Sequence, residues 1–274
     1  MLTTLENIFS YDFLTNAFVA CILSGITCGV VGSYVVARRM VFLSGGITHA
    51  SFGGLGIALY VGANPIIGAL GFAVLSSLGI EFASRKGRMR EDSAIGIIWA
   101  VGMAIGAVFM SLRPGYATDL TSYLFGNILL VEGRDIAWLA VLTVFIIVGA
   151  VGWLRKVMYV TFDESYAYSQ GVAAERVAYA MSVVVAITIV LSIKVMGIIL
   201  LLSLLTMPTV IANTFTKDYR RIAIYSAVVA VVGNVFGFVL SYEYDLPTGS
   251  CIIFILATLL VVVKLLTIRR TANK

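Results

Sequence analysis

AERVAYAMSVVVAITIVLSIKVMGIILLLSLLTMPTVIANT, residues 174–214, is the stretch whose reading decides the fold. As one straight helix rising about 1.5 Å per residue it would reach about 60 Å, twice the roughly 30 Å of hydrocarbon in a bilayer. It therefore reads as two spans, 174–193 and 196–214, with Lys194 and Gly197 marking a tight turn between them. Working outward, apolar runs of similar length recur at about 15–37, 40–62, 64–83, 92–112, 135–154, 221–242 and 248–268. The expectation is an all-α integral membrane protein with about nine transmembrane helices in a single domain, residues 1–274.

Composition agrees: 60% of the residues are hydrophobic and 12% charged, against about half and a quarter in a soluble domain. Basic residues flanking the spans set the orientation. With the N-terminus outside and the C-terminus inside, only Arg113, Arg134 and Lys194 of the 19 Lys and Arg residues fall on the outer side, as the positive-inside rule requires. The formal charge of +5 then forms a cytoplasmic fringe, and no nucleic-acid groove is expected. Acidic residues, among them Glu6, Asp12, Asp119, Glu132, Asp135, Glu243 and Asp245, lean outward. MLTTLENIFSYDF at the start has no basic n-region, so no cleaved signal peptide is expected. Cys21, Cys28 and Cys251 sit in apolar runs and read as small packing groups.

Within the spans, Gly25–Gly29, Gly102–Gly106 and Gly233–Gly237 each place two small residues on one helix face, the pattern of closely packed membrane helices. Pro208 removes a backbone donor inside the seventh span and is expected to kink it, with Ser203, Thr206 and Thr209 near the freed carbonyls. Asn234 can bond across to a neighbouring helix.

The chemistry concentrates in MVFLSGGITHASFGGLG, residues 40–56, which carries the single histidine, His49, between Thr48 and Ser51 in a glycine-rich run. A lone imidazole can simply bond a neighbouring carbonyl. Ionisable groups at bilayer depth are costly, however, and usually face a cavity or partner, so a translocation pathway through His49, Thr48, Ser51 and Gly45 is the sharper reading. Two connecting segments are too long for turns. Residues 113–134 include TSYLFGNILLVEG, too short to span and read as an interfacial or re-entrant helix. Residues 155–176, RKVMYVTFDESYAYSQGVAAER, place Asp163 to cap a short helix and Gly171 to end it, a docking knob on the cytoplasmic face.

Several functions are excluded. No phosphate-binding G-x-x-x-x-G-K-[ST] loop, dinucleotide G-x-G-x-x-G turn or H-E-x-x-H zinc pair occurs. The chain cannot hydrolyse ATP alone. His49, Glu81 and Lys194 are too few and too dispersed for an intramembrane enzyme.

VVARRMVFLSGGITHASFGG, REDSAIGIIWAVGMAIG, TSYLFGNIL, FDESYAYSQGV, IKVMGIILLLSLLTMPTVIA and YDLPTGSCIIFI occur in that order across residues 30–260. Together they resemble the permease subunit of ATP-binding-cassette importers of the zinc, manganese and iron uptake family. The resemblance implies a type II-like importer permease fold in the cytoplasmic (inner) membrane and a divalent metal as cargo, with no permanently bound cofactor. It also implies a second permease copy (a homodimer), a cytoplasmic ATPase pair that binds the ATP, and an extracytoplasmic metal-binding protein. By position, Asp163, Glu164, Tyr166 and Gly171 are similar to the family's ATPase-coupling segment. Tyr123, Phe125, Asn127, Asp245 and Pro247 fall where the binding protein docks, and His49 is the metal-contacting side chain.

One departure stands out. The family commonly has an aspartate four residues before this histidine, on the same helix face, where this chain has Gly45. A single neutral imidazole offsets little of a divalent ion's desolvation. Three accounts follow: transient contact at His49, Thr48 and Ser51; a ligand from elsewhere, such as Asp245, Glu243 or a second copy's His49; or a metal chelate as cargo. An ATP-independent secondary transporter or channel is the remaining alternative.

Overall fold

The computed structural model describes residues 10–112 and 128–272, and every regular element among them is helical. In chain order these are α1 (Asp12–Ala37), α2 (Val41–Val61), α3 (Pro65–Arg85), α4 (Glu91–Ser111), a 3-10 turn at Ile128–Leu130, α5 (Gly133–Phe162), α6 (Glu164–Ser169), α7 (Ala174–Phe215), α8 (Tyr219–Tyr244) and α9 (Thr248–Ala272). Eight are long and apolar enough to cross a membrane. The chain is a multi-pass membrane protein.

The 42-residue α7 answers the opening question about 174–214. Gly197 (φ 74°, ψ 171°) is not helical and splits it into arms at 174–196 and 198–215, so the expected nine spans fit. That backbone region is open essentially only to glycine. Pro208, expected to kink the second arm, keeps helical dihedrals. Ser203 and Thr206 donate to Ile199 and Leu202 of their own helix, while Thr209 and Ser226 of α8 share a bond at 2.8 Å. A second difference is that α5 runs to Phe162, past the expected end at 154 and into the segment read as a connection. Asp163 stops it, because its backbone is extended and its side chain caps the next helix.

The chain divides into two compact units. The first comprises residues 1–36, 122–154 and 194–274, so it holds α1, most of α5, the second arm of α7, α8 and α9. Its glycines act as the spacing predicts. Gly25 and Gly29 of α1 lie against Val231 and Ala227 of α8, and Gly233 and Gly237 of α8 lie against Leu256 and Ile252 of α9. Polar side chains bond between helices: Asn234 Nδ2 donates to the Cys21 carbonyl at 2.9 Å, and Thr27 pairs with Thr143 at 2.9 Å. Lys194 Nζ donates to Asp135 at 2.6 Å, pinning the turn that precedes Gly197. All three cysteines are buried, and none is in a disulfide.

The second unit comprises residues 37–121 and 155–193, so it holds α2, α3, α4, α6 and the first arm of α7. α2 is its centre, packed against both α3 and α4. Along one side Gly102 and Gly106 of α4 meet Ala50, Phe52 and Gly53 of α2; along the other, Gly54 and Gly68 bring α2 and α3 into backbone contact. α3 begins cleanly, with the Asn64 side chain accepting from the Ile66 amide at 2.9 Å and Pro65 in the first turn, where a missing N–H costs nothing.

Candidate functional site

The sequence-predicted pathway residues all lie on α2. Thr48 and Ser51 are buried, and each hydroxyl donates to its own helix, to the Ser44 and Thr48 carbonyls at 2.6 Å. Their protons are thus committed, leaving only lone pairs to offer a passing solute. Gly45 differs from the other glycines of α2. No atom lies within 4 Å of where its side chain would begin, whereas Gly46, Gly53, Gly54 and Gly56 are each closed by a neighbour. The position where the resemblance leads one to expect a carboxylate is therefore open space one helical turn from His49.

His49 has a partner that sequence reasoning missed. Its ring stacks on the indole of Trp99 from α4, with centroids 4.5 Å apart and planes within 3°. His49 Nδ1 is buried and has no hydrogen-bond partner among the described residues. The indole, 37% exposed, covers one face of the imidazole and fixes its plane. What remains is an oriented imidazole one helical turn from the open space at Gly45. A usable signal did exist: Trp99 sits within a span, away from the membrane interfaces where tryptophan usually collects. Among the described residues, no three His, Cys, Asp or Glu side chains converge as a metal cage.

The segment expected on the cytoplasmic face is built around α6. Asp163 is its N-cap, accepting from the Tyr166 amide at 3.0 Å. Gly171 ends the turn at φ 72°, with its amide bonded to the Tyr168 carbonyl. Ala167 faces inward onto Val160, Ala174 and Ala178, so a small apolar cluster seats the helix. Outward face Asp163, Gly171 and the rings of Tyr166 and Tyr168, the former 47% exposed and set edge-on to Tyr159.

Glu164 is placed differently from the three residues grouped with it. It turns inward, where Arg85 donates to both of its carboxylate oxygens, at 3.0 and 2.6 Å, and Arg38 donates to Oε1 at 3.0 Å. Arg38 also reaches the Val160 carbonyl at 3.2 Å. Arg85 is held from behind by Glu81, which accepts a further bond from Ser182 at 3.1 Å. Glu81, grouped in the sequence with dispersed ionisable residues, is thus part of a buried ionic cluster. The hydrogen bonds from Arg85, reinforced by Arg38 against the effect of burial, hold the Glu164 carboxyl below its ordinary range.

Of the expected outer docking residues, Tyr123, Phe125 and Asn127 lie outside the described residues. Asp245 is exposed and ends α8 in a left-handed conformation, φ 51°. Pro247 lines a cavity of about 330 Å³ within the first unit, together with Leu129, Met196, Ile199, Leu200 and Ile253.

Known proteins match this chain over nearly its whole length. The family model of the ABC 3 transport family matches residues 10–267. A probable metal transport system membrane protein of Thermotoga maritima is 34% identical over 254 residues, covering 93% of this chain and 90% of that protein. The manganese transport system membrane protein MntC of Halalkalibacterium halodurans is 31% identical, covering 93% and 87%. Among solved structures, PsaBC from Streptococcus pneumoniae in complex with Fab superposes with a TM-score of 0.84 at 25% identity, covering 96% and 95%. With the span order, the α2 site and the α6 segment all falling inside that single unbroken match, the chain is a member of the ABC 3 transport family, a permease subunit of the zinc, manganese and iron type of importer.

Proposed function

We propose that this chain forms the membrane pathway of an ATP-driven importer for a divalent metal ion, zinc, manganese or iron. An extracytoplasmic binding protein delivers the ion at the outer face, and a second copy of the chain completes the pathway. A separate pair of ATPases seats on the exposed face of α6, through Asp163, Tyr166 and Gly171, and drives alternating access in the cytoplasmic membrane. The observation that carries this reading is the match over residues 10–267, with relatives whose names denote metal and manganese transport. His49, fixed by Trp99 and with a ring nitrogen unpartnered among the described residues, is the strongest candidate ligand on α2.

The test is uptake of radioactive zinc and manganese into proteoliposomes holding the permease, its ATPase and its binding protein. ATP-dependent accumulation supports the reading. Accumulation by the permease alone under an ion gradient would point to an ATP-independent carrier.

A second reading, a metal chelate as cargo, is favoured by the open space at Gly45. The two separate on His49→Ala: import of the bare ion falls sharply, while import of a chelate is unaffected. Gly45→Asp supplies the missing carboxylate, and raised metal retention in that variant supports the bare ion.

A further inference from the structure

We propose that Glu164 is a positioning residue for transport, an internal latch tying the cytoplasmic helix α6 to the helices behind it, and not a contact for the ATPase. The inference rests on the coupling role proposed above for α6, and it assigns that helix two faces with different tasks.

The geometry separates them. Asp163, Tyr166, Tyr168 and Gly171 are exposed and available to a partner. The Glu164 side chain is only 34% exposed, and its two oxygens accept three hydrogen bonds from Arg38 and Arg85. A carboxylate gripped by a two-pronged guanidinium on one side and a second arginine on the other has little left to offer another protein. α6 has six residues and a small apolar seat, too little to hold its orientation under load. The ionic grip supplies what the apolar seat lacks.

What the grip reaches is as telling as its strength. Arg85 closes α3, Arg38 follows α1, Val160 lies near the end of α5, and Ser182, bonded to Glu81, lies on the first arm of α7. From α3 the Gly54–Gly68 seam leads directly to α2 and His49. All of these residues belong to the second unit. A displacement of α6 is therefore handed through charge-assisted hydrogen bonds and one backbone seam to the site, a contiguous physical path whose coupling is measurable.

The experiment uses the reconstituted complex of permease, ATPase and binding protein, and reads two quantities: ATPase retained on the permease, and metal imported per ATP hydrolysed. For E164Q the expected result is full ATPase retention with import per ATP reduced about three- to thirtyfold. R85K, which keeps the charge and loses the two-pronged geometry, falls in the same direction by less. E164Q/R85Q falls no further than the lower single variant, because both changes break one interaction. Loss of ATPase retention in E164Q, a wild-type import ratio, or additive losses in the double variant each overturn the latch. If E164Q does not accumulate in the membrane, R85K alone decides: an unchanged import ratio overturns the proposal and a reduced one with full retention upholds it. Failure of the ATPase to bind the wild-type permease would instead strike the reading on which this one rests.

Discussion

His49 and Trp99 form a pair in which one ring carries the chemistry and the other holds it still. A parallel aromatic pair is worth about 0.5–1.5 kcal/mol beyond its area, so Trp99→Ala should raise the metal concentration for half-maximal uptake about three- to tenfold, and Trp99→Phe should restore most of it. A titration of initial uptake rate against metal checks both. The glycines give a sharper contrast. Gly54 abuts the Gly68 backbone, so Gly54→Ala should destabilise by about 1–3 kcal/mol. Gly45→Ala enters open space and should be neutral or stabilise by up to about 1 kcal/mol. Melting of the purified protein in detergent distinguishes the two. His49 stands out in the sequence because an ionisable residue inside an apolar run carries its own warning. Trp99 gave a signal by sitting inside a span, but its pairing with His49 was not legible, because which helix the Gly102 and Gly106 face of α4 meets is a tertiary fact. The inward turn of Glu164 was hidden for the same reason: its partners Arg38 and Arg85 lie 126 and 79 residues away.

At the level of the helices, run length and hydropathy were enough to place the spans, since the bilayer imposes one length on all of them. They marked two helix breakers in α7, a turn at Gly197 and a kink at Pro208, and only the first acts. Gly197 breaks it, because its dihedrals are reachable without a side chain, while Pro208 loses one hydrogen bond inside an otherwise helical arm. Gly197→Ala should cost about 1–3 kcal/mol, read as a lower melting temperature. For α6 the measurable property is pH dependence. Arg85 and Arg38 depress the Glu164 pKa, so the stabilisation is fully present above the ordinary glutamate value of 4.5 and is lost as pH falls through the depressed one. The difference in melting temperature between wild type and Glu164→Gln should therefore persist at neutral pH and close only below about 4.5. A gap that closes on raising the pH would contradict the arginine grip.

For the whole molecule, the distribution of arginine and lysine is the strongest statement the sequence makes, and it predicts α6 on the cytoplasmic side. Because Cys21, Cys28 and Cys251 are buried, a thiol introduced at exposed Ser165 reports on that side against a quiet background. Ser165→Cys should react with a membrane-impermeant maleimide in inside-out vesicles and stay unlabelled in intact cells; the opposite pattern would invert the topology. The division into two units was not legible, because it cuts α5 and α7 between neighbouring residues of continuous helices, and hydropathy carries no mark of such a cut. It has a consequence for synthesis. The second unit is complete once residue 193 has left the ribosome, but α1, in the first, has its glycine face matched by Ala227 and Val231. At about 5–20 residues per second, the opening helix waits roughly 10–40 s for its mate. During that interval its small-residue groove lacks the protein surface on which it finally packs.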